Sequence, residues 1–138
     1  MTPIQRTLDE PMMIFDLEPQ VRELRDDDSY RRTGRLGRTL ARSGRMRLVL
    51  VALNSGIEVG THQADSPMTL QLIQGRLEFR VGDVPHELRQ GQLLFFGPGD
   101  AHDIRALEES ALLLTLSAVG DDFGGRGADP ARPAAGRG

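Results

Sequence analysis

Two glycine-bounded stretches decide the fold: Gly56–Gly75, GIEVGTHQADSPMTLQLIQG, and Gly91–His102, GQLLFFGPGDAH. Each is a short apolar run interrupted by turn residues, and each carries one histidine, His62 or His102. Between them lies the clearest element in the chain. In Arg76–Val81 the residues Leu77, Phe79 and Val81 alternate with Arg76, Glu78 and Arg80, and a Gly82-Asp83 turn follows. This period of two predicts a hairpin strand with its apolar residues inward and its charges in solvent. Outward from this hairpin the same grammar continues, with runs at 46–53, 57–62, 68–74, 76–81, 86–89, 92–96, 102–107 and 111–117. The breaks between them are Asn54-Ser55-Gly56, Asp65-Ser66-Pro67, Gly75, Gly82-Asp83, Gln90-Gly91 and Gly97-Pro98-Gly99. Short strands at this regular spacing predict an all-β barrel or jelly roll.

Together the two stretches resemble the paired motifs of the cupin superfamily. The first family motif runs from a glycine through His-x-His to a glutamate, with a second glycine seven residues later. Counting back from Gly75 places Met68 at the glutamate position and His62 and Ala64 at the histidine positions. The second motif leads from a glycine through a strand to Pro-x-Gly-x-x-His. Gly91, Gly99 and His102 match it, while Gly97 replaces the proline. The resemblance implies a cupin-like jelly-roll β-barrel over 46–119. It also implies a cage for one divalent transition metal (Fe, Mn, Ni, Zn or Cu), built from imidazoles and a carboxylate.

This chain departs from that cage at two of its four positions. Ala64 cannot coordinate, Met68 offers only a soft thioether, and His62 and His102 alone hold a metal weakly. Glu58, which shares strand parity with His62, and Gln71 are the candidate third ligands. The first expectation is therefore a barrel that binds a small organic molecule, with weak or no metal binding. His62, Met68, Leu70, Phe79, Phe95, His102 and Ile104 are its expected ligand-binding residues. The alternative is a metal-dependent enzyme (a dioxygenase, isomerase or lyase) that uses His62 and His102 with Glu58 or Gln71. His86, beside Glu87, reads as structural or surface.

Composition narrows the chemistry further. In 138 residues there is no cysteine, which excludes disulfides, thiolate metal sites and a thiol nucleophile. All 17 basic residues are arginine, so Schiff-base chemistry and a P-loop lysine are excluded as well. No Gly-x-Ser-x-Gly elbow occurs. The formal net charge is −3, which does not point to nucleic acid or an anionic membrane. Charge is nonetheless blocked along the chain. Residues 9–28 are acidic, whereas 29–57 carry Arg31, Arg32, Arg35, Arg38, Arg42, Arg45 and Arg47 and no acid. This block reads as solvated or compensated by the acidic remainder, in the chain or in a homodimer; the competing reading is a site for an anionic ligand or nucleic acid.

Three parts organise the chain. Residues 1–45 form an N-terminal extension, 46–119 the barrel, and 120–138 a Gly/Pro/Ala/Arg tail expected to be disordered. Within the extension, Leu17, Val21 and Leu24 with Pro19 predict a short helix over 18–26, stopped by Asp26-Asp27-Asp28. An edge strand is expected near Arg38–Ala41. The longest apolar run, Leu48–Leu53, is far short of the roughly 18 residues of a membrane span. With no secretory signal visible in Met1–Glu10, a bacterial-type cytoplasmic location is expected.

Overall fold

Strand alternation is the force that shapes this chain. A computed structural model describes residues 10–60, 66–99 and 101–117. Nine strands follow one another among these residues: β1 (Arg35–Ser43), β2 (Met46–Leu53), β3 (Glu58–Gly60), β4 (Met68–Gln74), β5 (Arg76–Val81), β6 (Val84–Arg89), β7 (Leu93–Phe96), β8 (His102–Ala106) and β9 (Ser110–Ser117). They pair antiparallel in two sheets, ordered β1-β2-β9-β4-β7 and β3-β8-β5-β6. β2, β4 and β5 span the ranges expected for them. The expected tail, 120–138, lies outside the described residues.

β1 is longer than the expected edge strand. It pairs with β2 from Arg35↔Leu53 to Ser43↔Met46, with an irregularity between Thr39 and Ala41. The five-stranded sheet therefore begins upstream of Met46, where the barrel was expected to start. Three glycines, Gly34, Gly37 and Gly44, punctuate this segment. Only Gly34 and Gly44 take the left-handed conformation that ends an element, with φ +82° and +57°, while Gly37 stays within the strand.

The period of two sorts β2 into two cores. Val49, Val51 and Leu53 face the second sheet, where they join Leu70, Leu72, Leu112 and Leu114 against Val59, Leu77, Phe79, Ile104 and Ala106. Leu50 and Ala52 face the other way and join Val21, Leu24, Tyr30 and Leu40 beneath the helices. Each fully buried Leu, Val or Phe side chain contributes about 1.5–3 kcal/mol relative to exposure. β2 is thus apolar on both faces because both faces are covered.

The helices are α1 (Leu17–Asp26) and α2 (Asp28–Thr33). The second is an addition to the expectation, and the three aspartates explain it. They oppose the dipole at the end of α1, yet they stand at the favourable N-terminus of α2, where the Asp27 side chain accepts a hydrogen bond from the Ser29 N–H at 2.8 Å. One acidic triplet ends one helix and starts the next. Neither helix is long and apolar enough to cross a membrane.

Part of the arginine block is compensated within the chain. Arg38 Nη1 donates to Glu23 Oε1 at 2.8 Å and to Gln20 Oε1 at 2.9 Å, and the Arg31 guanidinium lies 3.8 Å from Asp26. Arg25 ties α1 to the barrel through Gln74 at 2.9 Å and Glu109 at 3.5 Å.

Candidate functional site

Among the described residues three polar side chains are buried: Arg47, His102 and Ser110. Ser110 is a structural group. Its hydroxyl donates to and accepts from the main chain at the start of β5 and in the turn before β9, at 2.8–3.2 Å. Arg47 and His102 instead lie on the inner faces of the two sheets, and strand register places them at the same end.

His102 opens β8, where His102, Ile104 and Ala106 are buried and alternate with Asp103 and Arg105. Its register partner on β5 is Val81. The imidazole stacks on Phe79 with ring centroids 5.0 Å apart and planes at 23°. Phe96 meets it edge-on, centroids 4.8 Å apart at 71°, and Phe96 and Phe79 are 5.3 Å apart. Three rings thus pack at the separations at which aromatic pairs attract. Phe96 pairs with Met68 on β4, Met68 with Leu116 on β9, and Leu116 with Arg47 on β2. This row crosses the inner face of the five-stranded sheet and ends on Arg47, a residue 8% exposed.

The expected site residues fall into three groups. Met68, Leu70, Phe79, His102 and Ile104 lie on the inner faces, brought together by the sandwich. His62 lies outside the described residues. Phe95, Glu58 and Gln71 do not face the interior, which corrects the sequence reading. Phe95 is 69% exposed on the outer side of β7, and Phe96 is the ring that faces in. Leu93-Leu94-Phe95-Phe96 is apolar at every position, so alternation alone could not assign its faces. Glu58 is an exposed register partner of Arg105 and approaches its guanidinium at 4.0 Å, whereas its neighbour Val59 turns inward. Gln71 is exposed between the buried Leu70 and Leu72. His86 is exposed on β6, as expected.

These placements decide how well the described donors suit the metal that the cupin resemblance implies. Met68 presents a thioether at the glutamate position, and Glu58 and Gln71 point away. No group of three His, Asp or Glu side chains gathers among the described residues. The described donor set does not fit a divalent metal centre.

The inward position of Arg47 has its sequence signal in Arg47-x-Val49-x-Val51-x-Leu53, a period of two that the surrounding block of arginines obscures.

No family model matches the chain, and no curated protein matches it. Solved structures do. A conserved protein of unknown function from Streptococcus pyogenes superposes with a TM-score of 0.62 at 19% identity, over 82% of this chain and 93% of that one. A cupin superfamily protein from Desulfitobacterium hafniense gives 0.59 at 19% identity, over 62% and 78%. An RmlC-like cupin from Shewanella frigidimarina gives 0.58 at 22% identity, over 66% and 82%. With two antiparallel sheets in this order, and with these neighbours, the chain has the cupin fold.

Proposed function

We propose that this protein is a binding module that holds a small organic molecule at the His102 end of the barrel, with weak or no metal binding. The observation that carries this reading is the setting of His102. A polar ring is held between Phe79 and Phe96 on the inner face, and the register partner of Phe96 is Met68, a thioether where the cupin pattern has a carboxylate. Apolar walls with a few converging polar groups are what a small-molecule site requires. The expected homodimer and cytoplasmic location belong to the same reading.

Elemental analysis of untagged protein, together with a thermal-shift screen of small acids, sugars and aromatics, tests it. Substoichiometric metal and stabilisation by an organic ligand are expected. Stoichiometric metal that disappears in His62→Ala would overturn the reading in favour of a metal-dependent enzyme.

A further inference from the structure

We propose that the chain pairs with a second copy of itself along β7, so that the five-stranded sheets of two molecules join edge to edge. The inference rests on the homodimer reading above and names the surface that carries it. Among the described residues four strands end a sheet: β1 and β7 in one, β3 and β6 in the other. An open edge offers a row of backbone N–H and C=O groups to any passing strand. Folded chains blunt such edges with charge, proline, irregular pairing or shortness. Three of these four edges are blunted. β1 carries Arg35, Arg38 and Arg42 and an irregularity between Thr39 and Ala41. β6 carries Pro85, Glu87 and Arg89, and β3 is three residues long and begins with Glu58. β7, Leu93-Leu94-Phe95-Phe96, has no charge, no proline and a regular register with β4.

The side chains of β7 point to a second copy as the occupant. Leu93 and Phe95 are 65% and 69% exposed on the outer face. Their neighbours on β4 are Gln71 and Thr69, followed on β9 by Leu113 and Thr115, so this corner of the sheet holds no charge. A twofold axis sets a strand against itself, which repels where the strand is charged and is tolerated where it is neutral. An axis that continues the sheet keeps the outer faces of both copies on one side. Antiparallel pairing about Leu94 then sets Leu93 opposite the partner subunit's Phe95. Four exposed apolar side chains become one stripe of aliphatic–aromatic cross-strand pairs, while main-chain hydrogen bonds supply affinity and direction.

The test is the oligomeric state of the full chain by sedimentation velocity over a range of concentrations, with amide hydrogen exchange read at residues 93–96. Wild-type protein is expected to dimerise reversibly, and exchange in 93–96 to slow about tenfold or more from dilute to concentrated protein. Phe95→Glu sets a carboxylate against its own copy across the paired edge. It is expected to weaken dimerisation about tenfold or more, whereas Val84→Glu, at an exposed position on β6, leaves it unchanged. A dimer that survives both Phe95→Glu and Leu93→Glu overturns β7 as the surface and leaves the homodimer reading standing. Equal weakening by Val84→Glu, or exchange in 93–96 that ignores concentration while the chain dimerises, does the same. A monomer at every concentration overturns both, and the small-molecule reading is untouched. Where Phe95→Glu does not fold, Leu93→Glu and the wild-type exchange still decide.

Discussion

The imidazole of His102 lies flat against the ring of Phe79, centroids 5.0 Å apart with 23° between planes. One face of the candidate site is therefore also a wall of the main core, since Phe79 is 1% exposed among Leu77, Ile104 and Leu114. Binding and stability are coupled through this ring. Phe79→Ala is expected to cost about 3–5 kcal/mol in urea unfolding, and Phe79→Leu distinctly less. A loss below about 1 kcal/mol for the alanine variant would contradict the packing described.

Tyr30 provides a pH-dependent readout of how the helices dock. Its hydroxyl donates to Glu109 Oε2 at 3.0 Å. Burial, and then the hydrogen bond and charge of Glu109, push its pKa from 10.0 to about 12. Well below pH 10 folded and unfolded chains both keep the proton, so the contribution to stability is whole. Between pH 10 and about 12 the unfolded chain releases it and the folded chain does not, so stability falls as pH rises through this window. Tyr30→Phe should remove that part of the slope. Because the chain has one tyrosine and no tryptophan, the ultraviolet absorbance of tyrosinate reports the titration directly. An ordinary midpoint near 10 would show that Glu109 does not hold Tyr30.

Gly75 and Gly82 both take positive φ, +95° and +60°, but their surroundings differ. A Cβ on Gly75 would collide with the Ser110 hydroxyl, the Glu109 carbonyl and the Ser110 Cα, whereas one on Gly82 meets nothing within 4 Å. Gly82→Ala is expected to cost about 1–2 kcal/mol from left-handed backbone strain alone. Gly75→Ala adds a backbone collision and is expected to cost on the order of 3 kcal/mol or more. Paired denaturation curves check the difference; equal costs would contradict the close approach of the β4–β5 turn to β9.

The strand plan was legible because one side of most strands meets solvent. In β5 and β8 a charged residue marks each outward position, so Arg76–Val81 and His102–Ala106 declare both element and face. Legibility failed where that contrast was missing or misleading. β7 carries no polar residue, so its alternation points to Phe95 as readily as to Phe96, the ring that faces in. Arg47 sits inward despite its charge, and was absorbed into a block whose other members are more exposed. α2 was missed because its apolar contribution rests on Tyr30, too little for a helical period. The placement of Glu58 and Gln71 depended on tertiary pairing, which motif spacing does not carry.

Methyl spectra of methionine-labelled protein, titrated with the small acids, sugars and aromatics of the thermal-shift screen, test the central claim most directly. Met68 lies 8% exposed in the row that joins Arg47 to the aromatic rings, whereas Met12 and Met46 are 74% and 50% exposed elsewhere. A molecule bound at the His102 end should shift the Met68 methyl saturably and leave Met12 and Met46 unmoved. An unmoved Met68, or equal drift of all five methionine signals, would contradict a binding site in this barrel.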